Sequence, residues 1–298
     1  MVNHVQVNLV TAQKAVNDDG VMTIPLARAG GISELELTLR ATTGAGGSAS
    51  YGLLSSITRI EIGTAHGLGI LDLSATELYR LITLRDLIAP QLSEGTGAGA
   101  VQIVKLPIRF GVGGDTGKMG LDMSKYPDCS VKVYYTLVVS DSDGFVSKSL
   151  EVDLDSVQTD QMAPPNYQGR IRAARWYEGS TRVQNPHTIK IKDSNKIVGI
   201  YAYAYKSGTA DNALVRNIAL LTSPDNRKLL SASMSDLQER RRPLAGAIIA
   251  SWVPIWVAPG LLGEENLEPL GISEIQIELE ELVADGSIKV YMEDLHPA

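Results

Sequence analysis

Residues 57–90 read ITRIEIGTAHGLGILDLSATELYRLITLRDLIAP, and a shorter form of the same pattern returns at residues 215–237 as VRNIALLTSPDNRKLLSASMSDL. Each copy has a strand-like run, a turn rich in Gly, Pro, Asp or Asn, a short second apolar run and the start of a helix. Ile57 aligns with Val215, 158 residues later. The pattern indicates that one structural unit occurs twice in the chain.

Both predicted helices begin with a serine that is followed three residues later by an acid. The pairs are Ser74 with Glu77 and Ser233 with Asp236. This spacing is the capping box, in which each side chain bonds a backbone N–H at the helix start, and the Asp form is the weaker one. In the first copy, apolar residues then recur at helical spacing and predict a helix from Ala75 to about Ile88.

The duplication extends along most of the chain, with the order preserved and the offset falling from 165 to 144 residues. The further matches are Thr23–Leu26 with Thr188–Ile191, Leu35–Leu39 with Ile200–Ala204, Leu106–Ile108 with Val253–Ile255, and Val131–Val133 with Ile275–Ile277. Each half also ends with an Asp-Gly pair, which favours a tight hairpin turn. We therefore expect Ser130–Ser140 and Phe145–Leu154 to pair around Asp143–Gly144.

The length of 298 residues fits two domains of about 150 residues. We predict an N-terminal domain over residues 1–157, a proline-containing linker over 158–169 and a C-terminal domain over 170–298. Residues 2–20 resemble an arm, with a hint of a strand at its apolar positions. Met1–His4 lacks the basic and apolar regions of a signal peptide.

Each half shows about eight short strand patterns and one helix, separated by glycine-rich turns. Leu35, Leu37 and Leu39 alternate with polar residues, as in a strand with one buried face. Eight strands are too many for one small sheet, so each half should be a two-sheet sandwich. The prediction is an all-β protein made of two tandem eight-stranded jelly rolls (β-sandwiches), each with one short inserted helix.

The uncharged stretch Leu244–Gly263 is long enough to cross a bilayer, but Pro254 and Pro259 interrupt it. Its counterpart in the first half carries charges, so we predict a buried strand flanked by loops. Trp252 and Trp256 in this stretch are candidates for a core or for a contact between subunits.

Three glycine-rich segments resemble nucleotide-binding loops only superficially. Residues 111–119 lack the first glycine of a phosphate loop, with Val112 in its place, and Met119 stands where Ser or Thr should follow Lys118. Residues 44–49 and 95–100 fit Gly-x-Gly-x-x-Ala, but residues 51–56 are too short for the helix that should follow the first segment, and Val101 starts a strand after the second. All three are predicted to be surface loops.

The sequence offers no catalytic, cofactor-binding or metal-binding set. The four histidines, His4, His66, His187 and His296, are not at metal-ligand spacing. Cys129 lies just before a strand and is interpreted as a small strand-edge hydrophobe, in preference to a catalytic thiol. Asp141–Gly144 lacks the remaining ligands of a calcium loop. We therefore predict no enzyme activity and no cofactor.

A net charge of −7 argues against a broad nucleic-acid-binding face, so we expect no sequence-specific nucleic acid binding. The basic run Arg240–Arg242 follows a predicted helix, where cations offset the helix dipole. A solvated helix end is the expected role of this run. Contact with lipid or packaged nucleic acid is the alternative.

The tandem repeat with a helix inserted at the same place in each half resembles the double jelly-roll major capsid proteins of the tectivirus–adenovirus lineage. The compact, corticovirus-like coat proteins of membrane-containing icosahedral phages are the most similar group. The residues that carry the resemblance are Ile24–Leu26, Leu35–Leu37, Ile57–Ile62 and Ser74–Leu78 with their second-half partners.

The resemblance implies a structural protein of the virion shell, made in the host cytoplasm. It implies homotrimers that form pseudo-hexameric capsomers, together with contacts to neighbouring capsomers and to penton or minor capsid proteins. It also implies an internal viral membrane that the Val2–Gly20 arm would contact.

Two other classes of protein stay open at this stage. A two-domain cupin-like enzyme is also a tandem jelly roll, although its metal-binding His-x-His is missing from both halves. A carbohydrate-binding β-sandwich would need an exposed aromatic platform. Tyr201, Tyr203 and Tyr205 lie on one face of a predicted strand, where sheet packing is the main expectation and a binding stripe the lesser one.

Overall fold

The fold is taken from a computed structural model of the whole chain. It describes residues 4–26, 30–46, 51–67, 69–110, 120–160, 167–178, 187–190, 196–206, 209–210, 214–222, 227–240, 249–257, 272–279 and 286–297. These residues form four antiparallel sheets and three helices.

The elements up to residue 159 build two facing sheets. In chain order they are β1 His4–Lys14, β2 Asp19–Pro25, β3 Gly31–Thr42, α1 Leu53–Ser56, β4 Ile57–Gly63, β5 Gly69–Leu73, α2 Ala75–Asp86, β6 Leu92–Ser93, β7 Val101–Arg109, β8 Leu121–Asp122, β9 Ser130–Thr136 and β10 Glu151–Thr159. One sheet has the order β1-β10-β3-β7, extended by β6 and β8, and the other has the order β2-β9-β4-β5.

The elements from residue 167 onward repeat this arrangement. They are β11 Tyr167–Glu178, β12 His187–Lys190, β13 Lys196–Lys206, β14 Thr209–Ala210, β15 Val215–Thr222, β16 Lys228–Ala232, α3 Met234–Arg240, β17 Trp252–Val257, β18 Ile272–Leu279 and β19 Gly286–Pro297. Here β19 lies between β11 and β13, β17 and β14 also pair with β13, and the facing sheet is β12-β18-β15-β16.

Both halves therefore follow one winding rule, in which the main strands alternate between the two sheets except at the β4–β5 and β15–β16 hairpins, whose two strands share a sheet. The first and last long strands pair in each half, as β1 with β10 and β11 with β19. The predicted inserted helix, α2 or α3, lies between the β4–β5 or β15–β16 hairpin and the next long strand. The first half also contains the four-residue helix α1 directly before β4, which the sequence pattern did not predict. This is the jelly-roll winding, with eight main strands in each half, and it confirms the predicted fold class. We call the two units the first roll and the second roll.

Strand alternation accounts for the position of each core. Leu35, Leu37 and Leu39 are fully buried on β3, as the sequence pattern predicts. Ile57, Ile60 and Ile62 on β4 face them from the other sheet, and they belong to the same buried cluster. The second roll has its own cluster, which includes Ile200, Ile218 and Ile277.

Helix α2 begins as the capping box predicts. The Glu77 amide donates to the Ser74 hydroxyl at 3.2 Å, and the Ser74 amide donates to the Glu77 carboxylate at 2.9 Å. Leu87 adopts a left-handed conformation (φ 59°) and caps the helix, whose last residue, Asp86, is two residues before the predicted end. In α3 the Asp236 amide donates to the Ser233 hydroxyl at 3.2 Å.

Two sequence-based expectations need correction. The segments around Asp143–Gly144 do not form a hairpin, because β9 belongs to the four-stranded sheet and β10 to the sheet of β1 and β3. The Asp-Gly pair makes a local turn while the chain crosses between sheets. The predicted arm, Val2–Gly20, contains β1, which pairs with β10 along residues 4–14. Within the described residues it is a strand of the first roll, since its backbone completes the sheet edge.

Candidate functional site at the contact between the rolls

The second roll's sheet of β11, β19, β13 and β17 has one face on its own core, and the opposite face of this sheet is buried against the first roll. Side chains of β13, β17 and β19 alternate between two environments. Ala202, Val253 and Val290 belong to the second roll's core. Tyr201 and Tyr291, together with Trp252, belong to the buried cluster of the first roll instead. The two rolls are thus joined by a sheet face whose aromatic residues continue the first core.

Aromatic rings stack across this face. Tyr203 stacks on Tyr205 at a centroid distance of 5.1 Å and on Trp252 at 4.8 Å, and Trp252 stacks on Tyr291 at 5.0 Å. The interplanar angle is 22° in each pair. Stacked pairs at these distances add to the stabilisation from burial. Of the tyrosines at alternate positions on β13, Tyr201 and Tyr203 therefore pack against the first roll, and Tyr205 stacks on Tyr203.

Glu77 is the polar centre of the contact. Its carboxylate accepts hydrogen bonds from Lys289 Nζ at 2.5 Å and from the Tyr291 hydroxyl at 2.8 Å. The same carboxylate caps α2 through the Ser74 amide. One side chain thus fixes the start of the helix in the first roll and holds the last strand of the second roll.

A second ion pair lies at the other end of α2. Arg85 Nη1 contacts Glu293 Oε1 at 3.2 Å, and Arg85 Nε contacts Asp86 Oδ1 at 2.9 Å. The chain of charges continues outward, because Arg109 lies 3.2 Å from Asp86 and 3.0 Å from Glu34. Negative and positive side chains therefore alternate from β19 through α2 to strands β7 and β3 of the first roll.

The distance between the two ion pairs is about the same along helix α2 as along strand β19. Glu77 and Arg85 are eight residues apart on α2, which corresponds to about 12 Å of helix. Lys289 and Glu293 are four residues apart on β19, which corresponds to about 13 Å of strand. Helix and strand can therefore run side by side with both pairs formed, and this fixes their relative position.

Burial and charge act in opposite directions on these groups. Burial alone would raise the pKa of Glu77, but hydrogen bonds from Lys289, the Ser74 amide and Tyr291 outweigh it and hold the pKa below its ordinary value. Burial next to Glu77 raises the pKa of Tyr291, so this hydroxyl remains a donor.

The buried pair at the end of α2 behaves differently. Burial would lower the pKa of Arg85, but Glu293 and Asp86 outweigh it and the pKa is raised. Burial raises the pKa of Glu293 despite the nearby arginine. Arg85 is thus the fixed charge, and Glu293 is the partner that is costly to ionise.

Within the described residues, the side chains considered for chemistry from sequence are not gathered into a site. Cys129 is buried, and this raises the pKa of its thiol to about 12, as is typical of a small hydrophobe rather than a catalytic thiol. His66 is exposed and lies 3.7 Å from Asp128. In the parts of the chain that the structure describes, no three His, Cys, Asp or Glu side chains are grouped as a metal site would require.

Several other candidates can be placed only in part. Trp252 is buried at the contact, as predicted for a core or interface. Arg240 is the last described residue of α3, whereas Arg241, Arg242 and residues 111–119 lie outside the described residues. The same holds for the side chains of Trp256, His4, His187 and His296. None of the described helices is long and apolar enough to cross a bilayer.

Sequence reasoning missed the Glu77, Arg85, Lys289 and Glu293 arrangement. The available signal was the alternation in β19, where Lys289, Tyr291 and Glu293 share one face of the strand and Ile288, Val290 and Met292 lie on the other. A polar and aromatic face of this kind indicates solvent or a partner surface.

No family model and no curated protein matches the chain, but several solved structures have a similar fold. The solved major capsid protein of STIV, the Sulfolobus Turreted Icosahedral Virus, has a TM-score of 0.64 at 10% identity, covering 98% of this chain and 96% of that one. VP54 of PBCV-1 has a TM-score of 0.62 at 10% identity, covering 99% and 94%.

The major capsid protein of bacteriophage PM2 is similar over the same extent. Its TM-score is 0.54 at 12% identity, with coverage of 98% of this chain and 97% of that chain. The similarity to each of the three structures covers nearly the whole chain and therefore both rolls. The chain therefore has the double jelly-roll fold of these viral major capsid proteins.

Proposed function

We propose that this chain is a structural major capsid protein of an icosahedral virus, located in the virion shell and without enzymatic activity. The observation that carries the proposal is the fusion of two jelly rolls through a buried aromatic face, in a fold shared along nearly the whole chain with three viral capsid proteins. A rigid double unit of this kind suits a shell, because the rolls are held at a fixed orientation.

The assembly unit in this proposal is a homotrimer. Three chains place six similar rolls around one axis and form a pseudo-hexameric capsomer, which then contacts neighbouring capsomers and penton or minor capsid proteins. The domain boundaries are part of the proposal, with rolls over 1–157 and 170–298 and a linker over 158–169. The end of β10 at Thr159 and the start of β11 at Tyr167 support a boundary in this region.

An internal viral membrane and synthesis in the host cytoplasm complete the proposal. Residues 4–14 are held in a sheet, so the segment proposed to contact the membrane is the turn that follows β1, where Val16 is 75% exposed. An exposed valine at a loop tip is compatible with a shallow contact with lipid.

The test is the solution mass of the purified full chain by light scattering after size exclusion, followed by electron microscopy. We expect a species of about three times 32.0 kDa and hexagonal capsomers in the images. A monomer at every concentration, without capsomers or shells in the presence of vesicles, would contradict the proposal.

The two alternative classes predict different results. A cupin-like enzyme would carry a bound metal in elemental analysis. A carbohydrate-binding protein would need an exposed aromatic platform, whereas Tyr201, Trp252 and Tyr291 are buried between the rolls. This burial favours the structural role over sugar binding at the tyrosine stripe.

A further inference from the structure

Strand β2 is the edge of its sheet, and the side of the strand that faces away from β9 has no strand partner within the described residues. Its register with β9 is unbroken, from Asp19 opposite Thr136 to Pro25 opposite Ser130. An edge strand of this kind presents unpaired backbone N–H and C=O groups to which another extended chain can bind. We call this side of β2 the free edge.

The other described edge strands are each blunted in a way that β2 is not. Strand β1 has two register shifts and a left-handed residue at Ala12 (φ 46°). Strands β5 and β11 lie against each other in the contact between the rolls. Strands β6, β8 and β14 have two residues each, β12 has four and ends at Lys190, and β16 and β17 each have a register shift. Strand β2 has seven residues, with no charge from Gly20 to Ile24.

The hydrogen bonds at the two ends of β2 show which of its backbone groups are free. The Leu26 amide donates to the Cys129 carbonyl at 3.0 Å, and the Leu137 amide donates to the Asp18 carbonyl at 2.7 Å. Backbone groups alternate in direction along an antiparallel strand, so those of the even-numbered residues point toward β9. Those of the odd-numbered residues point to the free edge.

Val21 and Thr23 are the odd-numbered residues in the middle of the free edge. Val21 is 48% exposed and Thr23 is also exposed, whereas the side chains of Met22 and Ile24 between and beside them are buried in the first core. Both exposed residues are β-branched, a type that favours strand pairing. Each offers one N–H donor and one C=O acceptor, whereas Pro25 at the end of the strand offers only an acceptor.

The opposite end of the free edge is acidic. Asp19 is exposed there and forms no ion pair with any described residue. The adjacent Asp18 accepts hydrogen bonds from the Ser147 hydroxyl at 3.0 Å and from the Lys148 amide at 2.6 Å, and these partners are neutral. A strand bound here is therefore favoured if it carries a Lys or Arg side chain at this end.

A strand added to the free edge would also cover apolar surface. Residues 15–18 connect β1 to β2, so the two strands are neighbouring edges of the facing sheets. Leu9 and Val10 on β1 are half-buried and pack against the first core. Alternate side chains of the added strand would therefore lie toward Leu9 and Val10 on the inner side and beside Val21 on the outer side.

We propose that the free edge of β2 binds an extended segment of another protein as an added antiparallel strand. Val21 and Thr23 exchange backbone hydrogen bonds with the segment, and a basic residue at its C-terminal end lies beside Asp19. The surface for this partner belongs to the first roll of one chain. The inference therefore does not rest on the proposed function or on trimer formation.

A second copy of the chain fits the free edge less well than a segment of another protein. If two β2 strands paired around a two-fold axis with Val21 opposite Thr23, Asp19 of each copy would lie opposite Pro25 of the other. Proline has no N–H, so the Asp19 carbonyl would lack a donor at both ends of the pair. A segment of another protein can supply that donor.

The first test is amide hydrogen exchange at single-residue resolution on the purified full chain. Without a ligand, the Met22 and Ile24 amides should exchange slowly and the Val21 and Thr23 amides fast. The probe is a blocked peptide of alternating threonine and valine with two lysines at its C-terminal end. Saturation with this peptide should slow exchange at Val21 and Thr23 by about tenfold or more and leave Met22 and Ile24 little changed.

Two control peptides test the chemistry of the bound segment. A peptide with prolines in place of its valines lacks the N–H groups and should not slow exchange at Val21 or Thr23. A peptide with the two lysines at its N-terminal end should bind more weakly, because its ammonium groups would lie away from Asp19. Equal binding of the two lysine-containing peptides would contradict the antiparallel orientation.

The second test changes the protein and measures the affinity of the same peptide by calorimetry. Val21→Pro removes an N–H that points away from β9, a change that an edge strand tolerates, and the affinity should fall by about tenfold or more. The matched control is Val21→Ile, which keeps the N–H and should bind the peptide as wild type does. Asp19→Asn, which leaves the backbone unchanged, should weaken binding and reduce its dependence on salt. This variant keeps the test decisive if Val21→Pro does not fold.

The remaining outcomes overturn the inference. Slow exchange at Val21 and Thr23 before peptide is added would mean that the edge is already covered. If that protection increases with protein concentration, the occupant is a second copy of the chain. Peptide binding that leaves these two amides fast, or that is unaffected by both Val21→Pro and Asp19→Asn, would place the peptide elsewhere. The mass of the wild-type protein in solution tests the proposed function separately, whatever the peptide does.

Discussion

Glu77 and Lys289 are 212 positions apart in the chain, and their side chains form an ion pair with 2.5 Å between Oε1 and Nζ. The carboxylate belongs to the first turn of α2, and the ammonium belongs to the last strand of the second roll. The pair therefore couples a local event, the capping of one helix, to the position of a whole roll. Its contribution can be measured separately from the aromatic packing around it.

Glu77→Gln should destabilise the protein by about 2 kcal/mol. The amide keeps the shape of the side chain but leaves the partly buried Lys289 ammonium without its counter-charge. The measurement is urea unfolding followed by fluorescence. Glu94→Gln is the matched control because Glu94 is exposed, and we expect it to change the free energy by less than about 0.5 kcal/mol. Equal effects of the two substitutions would contradict the role assigned to Glu77.

Arg85 and Glu293 should show strong coupling in a double-mutant cycle. Arg85→Met or Glu293→Leu alone leaves a buried charge without a main partner, and each should cost about 3–5 kcal/mol. The double variant should be less destabilised than the sum of the two, with a coupling energy of about 1–3 kcal/mol. Additive effects would mean that the two charges do not depend on each other.

The stability of wild type should fall below pH 4.5 in part through Glu77. The folded-state pKa of Glu77 is lowered from 4.5, so its contribution is present above that value and is lost as the pH falls through the folded pKa. The contribution of Glu293 to stability changes with pH in the opposite direction, because its pKa is raised and its protonated form is favoured in the folded state.

The pH prediction is tested by urea unfolding at several values between about pH 3 and pH 7. Glu77→Gln should show a shallower loss of stability in acid than wild type, because the group that titrates has been removed. Glu293→Gln should show a steeper loss. If the free energy of unfolding falls with pH in parallel for wild type and Glu77→Gln, Glu77 does not contribute to the loss of stability in acid.

The fold could be predicted from sequence because its determinants are local or periodic. Strand alternation at Leu35–Leu39, the capping residues Ser74 and Glu77 and the ordered repeat all appear in the sequence, and the structure confirms each. The repeat was the strongest signal, because it requires two copies of one winding pattern.

The contact between the rolls could not be predicted in the same way. Glu77 and Lys289 come together only after both rolls have formed, and the residues near each of them in sequence do not indicate the partner. The Asp143–Gly144 turn failed for a related reason. Its local preference is compatible with a hairpin, but the strand order sends β9 and β10 to different sheets. Tertiary pairing therefore overrides the turn signal.

The two helix caps should differ in their importance. Ser74→Ala removes the acceptor of the Glu77 amide and one hydrogen-bond donor to the carboxylate that holds Lys289, while the backbone amide of residue 74 still donates to that carboxylate, so we expect a loss of about 1–2 kcal/mol. Ser233→Ala should cost less, because the bonds of Ser233 to Asp236 lie at an exposed helix start. Urea unfolding of the two alanine variants makes the comparison. A larger loss for Ser233→Ala would contradict the link between the first cap and the contact between the rolls.

Gly44 should be intolerant of a side chain even though it lies in a glycine-rich loop. A Cβ at this position would lie 2.3 Å from the Ser140 carbonyl oxygen and 2.9 Å from Asp141 Cα, which are backbone atoms that cannot rotate away. The Gly44 amide also donates to the Gly144 carbonyl at 2.9 Å. Gly44→Ala should therefore lower stability by about 1–3 kcal/mol.

Gly97→Ala is the control, because a Cβ at position 97 would meet nothing within 4 Å. Thermal unfolding of both variants separates the two explanations for these glycines. If small residues only serve loop flexibility, both substitutions should have similar, small effects. If Gly44 is required because two loops cross at their backbones, Gly44→Ala alone should lower the melting temperature, and equal melting temperatures would contradict the close approach.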